Sequence, residues 1–264
     1  MSKNVNDLFS ALENDGDITQ ESKQALVVAD MGADIQAALG IDVDMVEASE
    51  VVLVTQIIDD SSSIQFGGNK QVMIDGHNLV LDSVSESKMK DNVLAHTRLM
   101  HAGTLMPYGL IDSVIHLDGT NYRPSGDTPL FDATVATLGA VLAKAKEFED
   151  NGVAVRTITL IATDGGENAS RNIRHASEVA SVVRDMLQAE THIIAGMGID
   201  DNYTDFQQVF SEMGIPDEWI LTPGNTEKEI RAAFQLFSSS ATRASQDAQS
   251  FSNQALGGFG KTSS

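Results

Sequence analysis

The chain has 264 residues, 42% of them hydrophobic, and 17 Lys and Arg against 38 Asp and Glu, for a net charge of −21. This suffices for one large α/β domain with appendages, while the acidic balance disfavours a nucleic-acid partner, whose backbone needs a basic face. There is no cysteine, which excludes disulfides and thiolate chemistry.

The opening residues, Met-Ser-Lys-Asn-Val-Asn-Asp, lack the apolar core of a signal peptide, and no run approaches the ~18 apolar residues of a membrane span. A soluble, cytoplasmic protein without membrane contact is expected. Residues 1–48 read as a helical extension. Val5, Leu8, Phe9 and Leu12 recur at helical spacing up to Gly16. A second helix, capped by Asp17 or Thr19, carries the stripe Ala25, Val28, Met31, Ile35 and Leu39 and stops at Gly40. These helices either pack on the main domain or form a docking arm for a partner.

Residues 49–240 alternate strands with helices. Val51 to Ile58 is a buried strand of the parallel-sheet kind, and the loop after it carries Asp59, Asp60, Ser61, Ser62 and Ser63. Beyond Gly67 and Gly68, Met73, His77, Val80 and Val84 mark a helix, with His77 merely on its face. Val93–Leu99 and Leu110–Leu117 read as an antiparallel pair joined through Gly103, Pro107 and Gly109. A Gly- and Pro-rich loop, Asp118–Pro129, delivers Asp127 and Thr128 to a helix over Leu130–Phe148 that is apolar nearly all round. The strand Arg156–Thr163 ends in Asp164-Gly165-Gly166, and a helix with Ile173, Ala176, Ala180, Val183 and Leu187 follows. Next come a strand at His192–Ile199, a short helix at Tyr203–Met213 and a short strand at Trp219–Thr222. Thr226 and Glu229 make a capping box for a last helix with Ile230, Ala233, Phe234 and Phe237 inside. From Ser238 the composition turns to Ser, Gln, Ala and Gly, so residues 241–264 are expected to be a flexible tail, with Phe251, Leu256 and Phe259 scattered in it.

Asp59, Ser61 and Ser63 fall at alternate positions, so an extended path turns their oxygens to one side. Oxygen ligands of this kind suit magnesium, calcium or manganese, whereas zinc or copper would call for histidine or cysteine. Local chemistry alone leaves plainer roles open: a solvated loop after the first strand, a helix cap for Thr128 and a turn-former for Asp164.

Taken together and in this order, Ile-Ile-Asp59-Asp-Ser61-Ser-Ser63, Gly126-Asp-Thr128-Pro-Leu-Phe-Asp-Ala and Ala-Thr-Asp164-Gly resemble the metal-ion-dependent adhesion site of the von Willebrand factor A domain family. The resemblance covers residues from about 50 to 238. It implies an α/β fold, doubly wound and Rossmann-like, with a mostly parallel central sheet, one antiparallel edge strand and helices on both faces, here with the N-terminal helical extension added. It also implies that Ser61 and Ser63 bind the cation directly, Thr128 directly or through water, and Asp59 and Asp164 largely through water. Magnesium is the expected ion, with calcium or manganese as alternatives. A partner's Asp or Glu would complete the octahedron. Asp60 and Asp127 depart from the family pattern: they either add negative charge near the ion or point into solvent.

Among family members the chain looks most like small intracellular bacterial ones associated with tellurite resistance or with MoxR-type ATPases. That likeness implies an AAA-type ATPase or stress-operon proteins as partners. The expected function is a cation-dependent protein-interaction module and not an enzyme. The alternatives are a structural assembly subunit, or a magnesium-dependent phosphotransfer or phosphatase-type α/β enzyme. The enzyme would need a strand-end lysine to hold a phosphoryl group, and none is evident.

Overall fold

The computed structural model describes residues 4–28, 31–88 and 90–259. Its centre is a six-stranded sheet in the order β3-β2-β1-β4-β5-β6. The strands are β1 (Glu50–Ile58), β2 (Val93–Leu99), β3 (Gly103–Leu110), β4 (Ala154–Thr163), β5 (His192–Gly198) and β6 (Ile220–Leu221). β1 runs parallel to β2 and β4, β5 runs parallel to β4 and β6, and only β2 and β3 pair antiparallel. Burial explains the strand composition. β1 is buried from Val51 to Ile58, and β2 and β5 are buried throughout, as strands covered on both faces must be. The chain leaves β1 towards β2 on one side and returns to β4 on the other, so the strand order reverses between β1 and β4. Such a reversal opens a crevice at the carboxyl ends of the two strands.

The antiparallel edge forms earlier in the chain than the sequence suggests. β3 starts at Gly103, while Ile111–Ser113 is a short 3-10 turn and not strand. Pro107 is exposed on this edge, where a residue without an N–H is tolerated.

The helices are α1 (Val5–Asp15), α2 (Gln20–Leu26), α3 (Met31–Ala38), α4 (Ser62–Phe66), α5 (Lys70–Ser85), α6 (Leu130–Glu149), α7 (Ala176–Gln188), α8 (Phe206–Glu212), α9 (Glu227–Ala244) and α10 (Ala248–Gly257). α5 and α9 pack together so closely that a Cβ on Gly76 would lie 2.1 Å from the Phe234 ring. α6 spans β2, β1 and β4 and is buried on nearly every side, as its composition requires. His77 is fully buried in α5 and hydrogen-bonds Thr97 Oγ1 at 2.9 Å, so it joins helix to sheet.

The second N-terminal helix is in fact two, α2 and α3. Leu26 and Ile35 both reach Gly139 of α6, within 3.0 and 2.8 Å of where its Cβ would stand. On one continuous helix, residues nine apart differ by about 900°, which puts them on opposite faces; the break lets both point inward. Phe9, Leu12, Leu26 and Ile35 join the core of the main domain. Thr19 N, Thr19 Oγ1 and Ser22 Oγ all donate to Asp185 Oδ2 of α7, at 2.6, 2.8 and 2.5 Å. The apolar stripe is therefore spent on packing.

The expected flexible tail is corrected for residues 248–257, which form α10. Phe251 is 1% exposed and stacks near the Arg156 guanidinium, and Phe259 meets Trp219 edge-on at 4.8 Å. The Phe259 amide also donates to Glu218 O at 3.1 Å. Three widely spaced apolar residues looked too few to order the segment. Trp219 and Arg156 supply the missing surface from elsewhere in the chain. Residues 260–264 of the expected tail lie outside the described residues.

Candidate metal site at the strand ends

β1 and β4 lie in parallel register with Ile58 opposite Ala162, so the residues that follow each strand meet. The Thr163 hydroxyl donates to Asp59 Oδ2 at 2.6 Å and accepts from the Gly165 amide at 3.0 Å. The other Asp59 oxygen accepts from the Ser61 amide at 2.7 Å, which folds the loop back on itself. Ser61 Oγ and Ser63 Oγ are 2.8 Å apart, and Ser63 Oγ donates to Asp164 Oδ1 at 2.5 Å. A hydroxyl that gives its proton to a carboxylate keeps its lone pairs for a cation.

The third loop reaches the same point. A Cβ built on Gly165 would lie 2.9 Å from Thr128 Oγ1, 3.5 Å from Ser63 Oγ and 3.8 Å from Asp59 Oδ2. Only glycine fits there, because oxygens from two other loops converge on it. Thr128 does not cap α6: Pro129 holds the cap position, and the first-turn amides of Phe131 and Asp132 donate instead to Glu167 Oε2 and Ser170 Oγ of the loop after β4. All five residues read from the sequence, Asp59, Ser61, Ser63, Thr128 and Asp164, thus come together. Asp59, Ser61, Thr128 and Asp164 are buried and Ser63 is half-buried.

Asp60 and Asp127 divide. Asp127 is exposed, as a generally acidic surface would have it. Asp60 is instead 2% exposed, and its carboxylate accepts from the amides of His101 and Ala102 at 2.7 and 3.1 Å. It ties the turn between β2 and β3, and so anchors the edge of the site.

Burial raises the Asp59 carboxyl above its ordinary value against hydrogen bonds from Thr163 and Ser61 that lower it. Burial likewise pushes Asp164 up to about 6, with the Ser63 bond opposing and the Asp59 charge assisting. Two desolvated acids beside three hydroxyls make the ionised carboxylates costly at one point. A hard divalent cation has the chemistry to match such a donor set. Among the described residues no three His, Cys, Asp or Glu are grouped to hold a metal. A cation here therefore depends on the neutral hydroxyls.

Several supporting residues were not read from the sequence. Asn69 Nδ2 donates to Asp164 Oδ2 at 3.3 Å, and the Tyr122 hydroxyl donates to the Asp59 carbonyl. The loop after β4 is bolted to the start of α6. Glu167 Oε2 accepts from the Phe131 amide and Asn168 Oδ1 from the Thr128 amide, each at 2.9 Å, and Asp132 accepts from the Arg171 and Ile173 amides at 2.8 and 2.7 Å. Glu167 and Asn168, acceptor side chains directly after the Asp164-Gly165-Gly166 turn, are the signal that could have found them.

No protein-family model and no curated protein matches the chain. Solved structures do. The vWF domain of the type V pili tip protein Mfa5 from Porphyromonas gingivalis matches with TM-score 0.51 and 10% identity over 76% of this chain and 98% of that one. The pilus adhesin SpaC from Lactobacillus rhamnosus GG matches with TM-score 0.52 and 10% identity over 75% of this chain and 30% of that one. Proximal thread matrix protein 1 from the mussel byssus gives TM-score 0.49 and 16% identity over 72% of this chain, and the match spans about half, 48%, of that protein's length. At such identities the likeness is one of fold. The chain has the fold of a von Willebrand factor A domain.

Proposed function

We propose that the chain is a divalent-cation-dependent protein-interaction module. Ser61, Ser63 and Thr128 hold the ion through their hydroxyls, Asp59 and Asp164 act largely through water, and an Asp or Glu of a partner protein supplies the remaining ligand. The supporting observation is the convergence of oxygens from the loop after β1 and the loop before α6 on the point that Gly165, in the loop after β4, leaves open. Magnesium fits this role because it sheds water reluctantly and leaves positions for an incoming oxygen; calcium and manganese fit the same oxygens. When bound, the ion supplies Lewis acidity towards the partner's carboxylate, undiminished by the neutral hydroxyls.

The phosphotransfer reading has less support. Among the described residues, no lysine or arginine bonds to Asp59 or Asp164, whose partners are hydroxyls, an amide N–H and the Asn69 side chain. A structural assembly role would use the N-terminal helices and the tail, whose Phe9, Leu26, Ile35 and Phe251 are already packed in the core. No described helix is long and apolar enough to cross a membrane. A cytoplasmic bacterial setting, with an AAA-type ATPase or stress-operon proteins as partners, rests on the sequence resemblance alone.

The test is calorimetry with magnesium and manganese chloride. Wild type should bind, and the Ser61→Ala/Ser63→Ala double variant should lose at least about tenfold in affinity, since two of three hydroxyl ligands go. Unchanged affinity in a folded double variant would overturn the reading.

A further inference from the structure

We infer that the cation face is extended by two aromatic anchors, Phe66 and Tyr203, and that its partner presents a single carboxylate bracketed by apolar side chains. Among the described residues these are the two most exposed large apolar side chains, at 87% for Phe66 and 95% for Tyr203. Large apolar groups left in water singly are ordinary. That the two most exposed border the same turn is not.

Phe66 ends α4, whose Ile64 is fully buried, and the next residue, Gly67, is packed against the site: its Cβ would lie 3.6 Å from Asp164 Oδ2. Tyr203 precedes Thr204, whose Oγ1 would lie 3.2 Å from a Cβ on Gly166, two residues beyond Asp164. Phe66 and Tyr203 therefore each adjoin a residue packed on the Asp164–Gly166 turn. Both are also held by fixed backbone. The Ser62 amide donates to Gly126 O at 3.0 Å at the start of α4. The Tyr203 and Thr204 amides donate to Asp201 Oδ1 at 2.8 and 2.7 Å, and Asn202 takes a left-handed φ of 65°. An ordered loop beneath an exposed aromatic side chain leaves only the side chain to be ordered on binding. Aromatic residues at the centre of an interface carry much of its affinity.

Charge selects among partners. Asp127 is exposed one residue before Thr128, Asp200 is exposed and accepts from the Asn202 amide beside Tyr203, and the whole chain is strongly acidic. A run of acids would be repelled by this rim, whereas one carboxylate meets the ion while apolar neighbours cover Phe66 and Tyr203. The inference rests on the proposed cation site for its carboxylate and on the two rings for everything else.

The test uses labelled synthetic peptides with one central Glu, flanked at two and four residues on either side by Leu and Phe, by Ser, by Lys or by Asp. Fluorescence polarisation follows binding to the full chain in magnesium and in chelator. The Leu/Phe-flanked peptide should bind in magnesium at least about tenfold more tightly than the others. Phe66→Ala and Tyr203→Ala should each weaken it by roughly tenfold, with manganese affinity by calorimetry unchanged. Equal binding of the Ser-flanked peptide, preference for the Lys- or Asp-flanked one, indifference to both substitutions, or no peptide binding by a protein that binds manganese would each overturn the inference. If wild type binds no cation, the cation site fails separately. Chelator-insensitive binding of the Leu/Phe peptide that is lost in Tyr203→Ala would then uphold the aromatic surface.

Discussion

Two regions of the molecule bury side chains equally deeply to opposite ends. At the termini the buried groups are apolar: Phe9 is fully buried in α1 and Phe251 is 1% exposed in α10. At the carboxyl ends of β1 and β4 they are Asp59 and Thr163, both fully buried, and Asp164. Burying a phenyl ring stabilises the fold, while burying a carboxylate costs stability unless something compensates its charge. The termini add apolar surface to the core; the strand ends hold desolvated carboxyls that the proposed cation would compensate. Substitutions in the first region should lower stability and spare cation binding, and those in the second should weaken cation binding while leaving the ion-free fold as stable or more so.

The largest expected effect is at Phe9. Phe9→Ala leaves a cavity where α1 meets the core, and urea denaturation should show a loss of about 3–5 kcal/mol with manganese affinity unchanged. Truncation after Ser245 removes Phe251 and Phe259 and uncovers Trp219. A loss of about 2–4 kcal/mol is expected by the same measurement, again without effect on the ion. A negligible loss would show that α10 is an ornament on the fold.

Asp60 stands on the boundary between the regions. Asp60→Ala leaves the His101 and Ala102 amides without their acceptor and should cost about 1–3 kcal/mol. Because the Ser125 amide donates to Asp60 O at 2.6 Å, through a carbonyl that alanine retains, the threonine loop should stay in place and cation affinity should fall little.

A smaller effect carries a sign. The Asp164 carboxyl is raised from 3.8 to about 6, so the folded state holds its proton more tightly than the unfolded chain does. Below about pH 4 both states are protonated and nothing is lost; as pH rises from about 4 to about 6, the cation-free protein loses stability on the order of 1–2 kcal/mol. His77, His96 and His192, each lowered to about 4 by burial, act oppositely and lose stability as pH falls below 6.5. The difference between wild type and Asp164→Asn in chelator, measured by denaturation at several pH values, separates the carboxylate from the histidines.

The sequence made the site more legible than its frame. Asp59, Ser61, Ser63, Thr128 and Asp164 were readable because their chemistry sits where strands end, and a strand's carboxyl end is set by local apolar pattern. Asp60 was not, since its donors, the His101 and Ala102 amides, lie some forty residues away and carry no side-chain signature. The start of β3 was missed for a related reason: Gly103 and Pro107 read as a turn, and only pairing with β2 makes them strand. The break between α2 and α3 and the order in α10 likewise depend on distant partners, Gly139 and Trp219, which local periodicity does not see. Thr163 stood inside the Thr-Asp-Gly turn without a role until the register put it against Asp59.

The central claim is that charge buried at the strand ends awaits a divalent cation, and stability measured with and without ion tests it most directly. In chelator at pH 7, Asp164→Asn should be the more stable protein, since it lacks the desolvated charge. With magnesium or manganese chloride at about a hundredfold its dissociation constant, wild type should gain about 2.7 kcal/mol and close most of the gap to the variant, which should gain less than about 1 kcal/mol. Equal gains in both proteins, or no gain in wild type, would contradict the account.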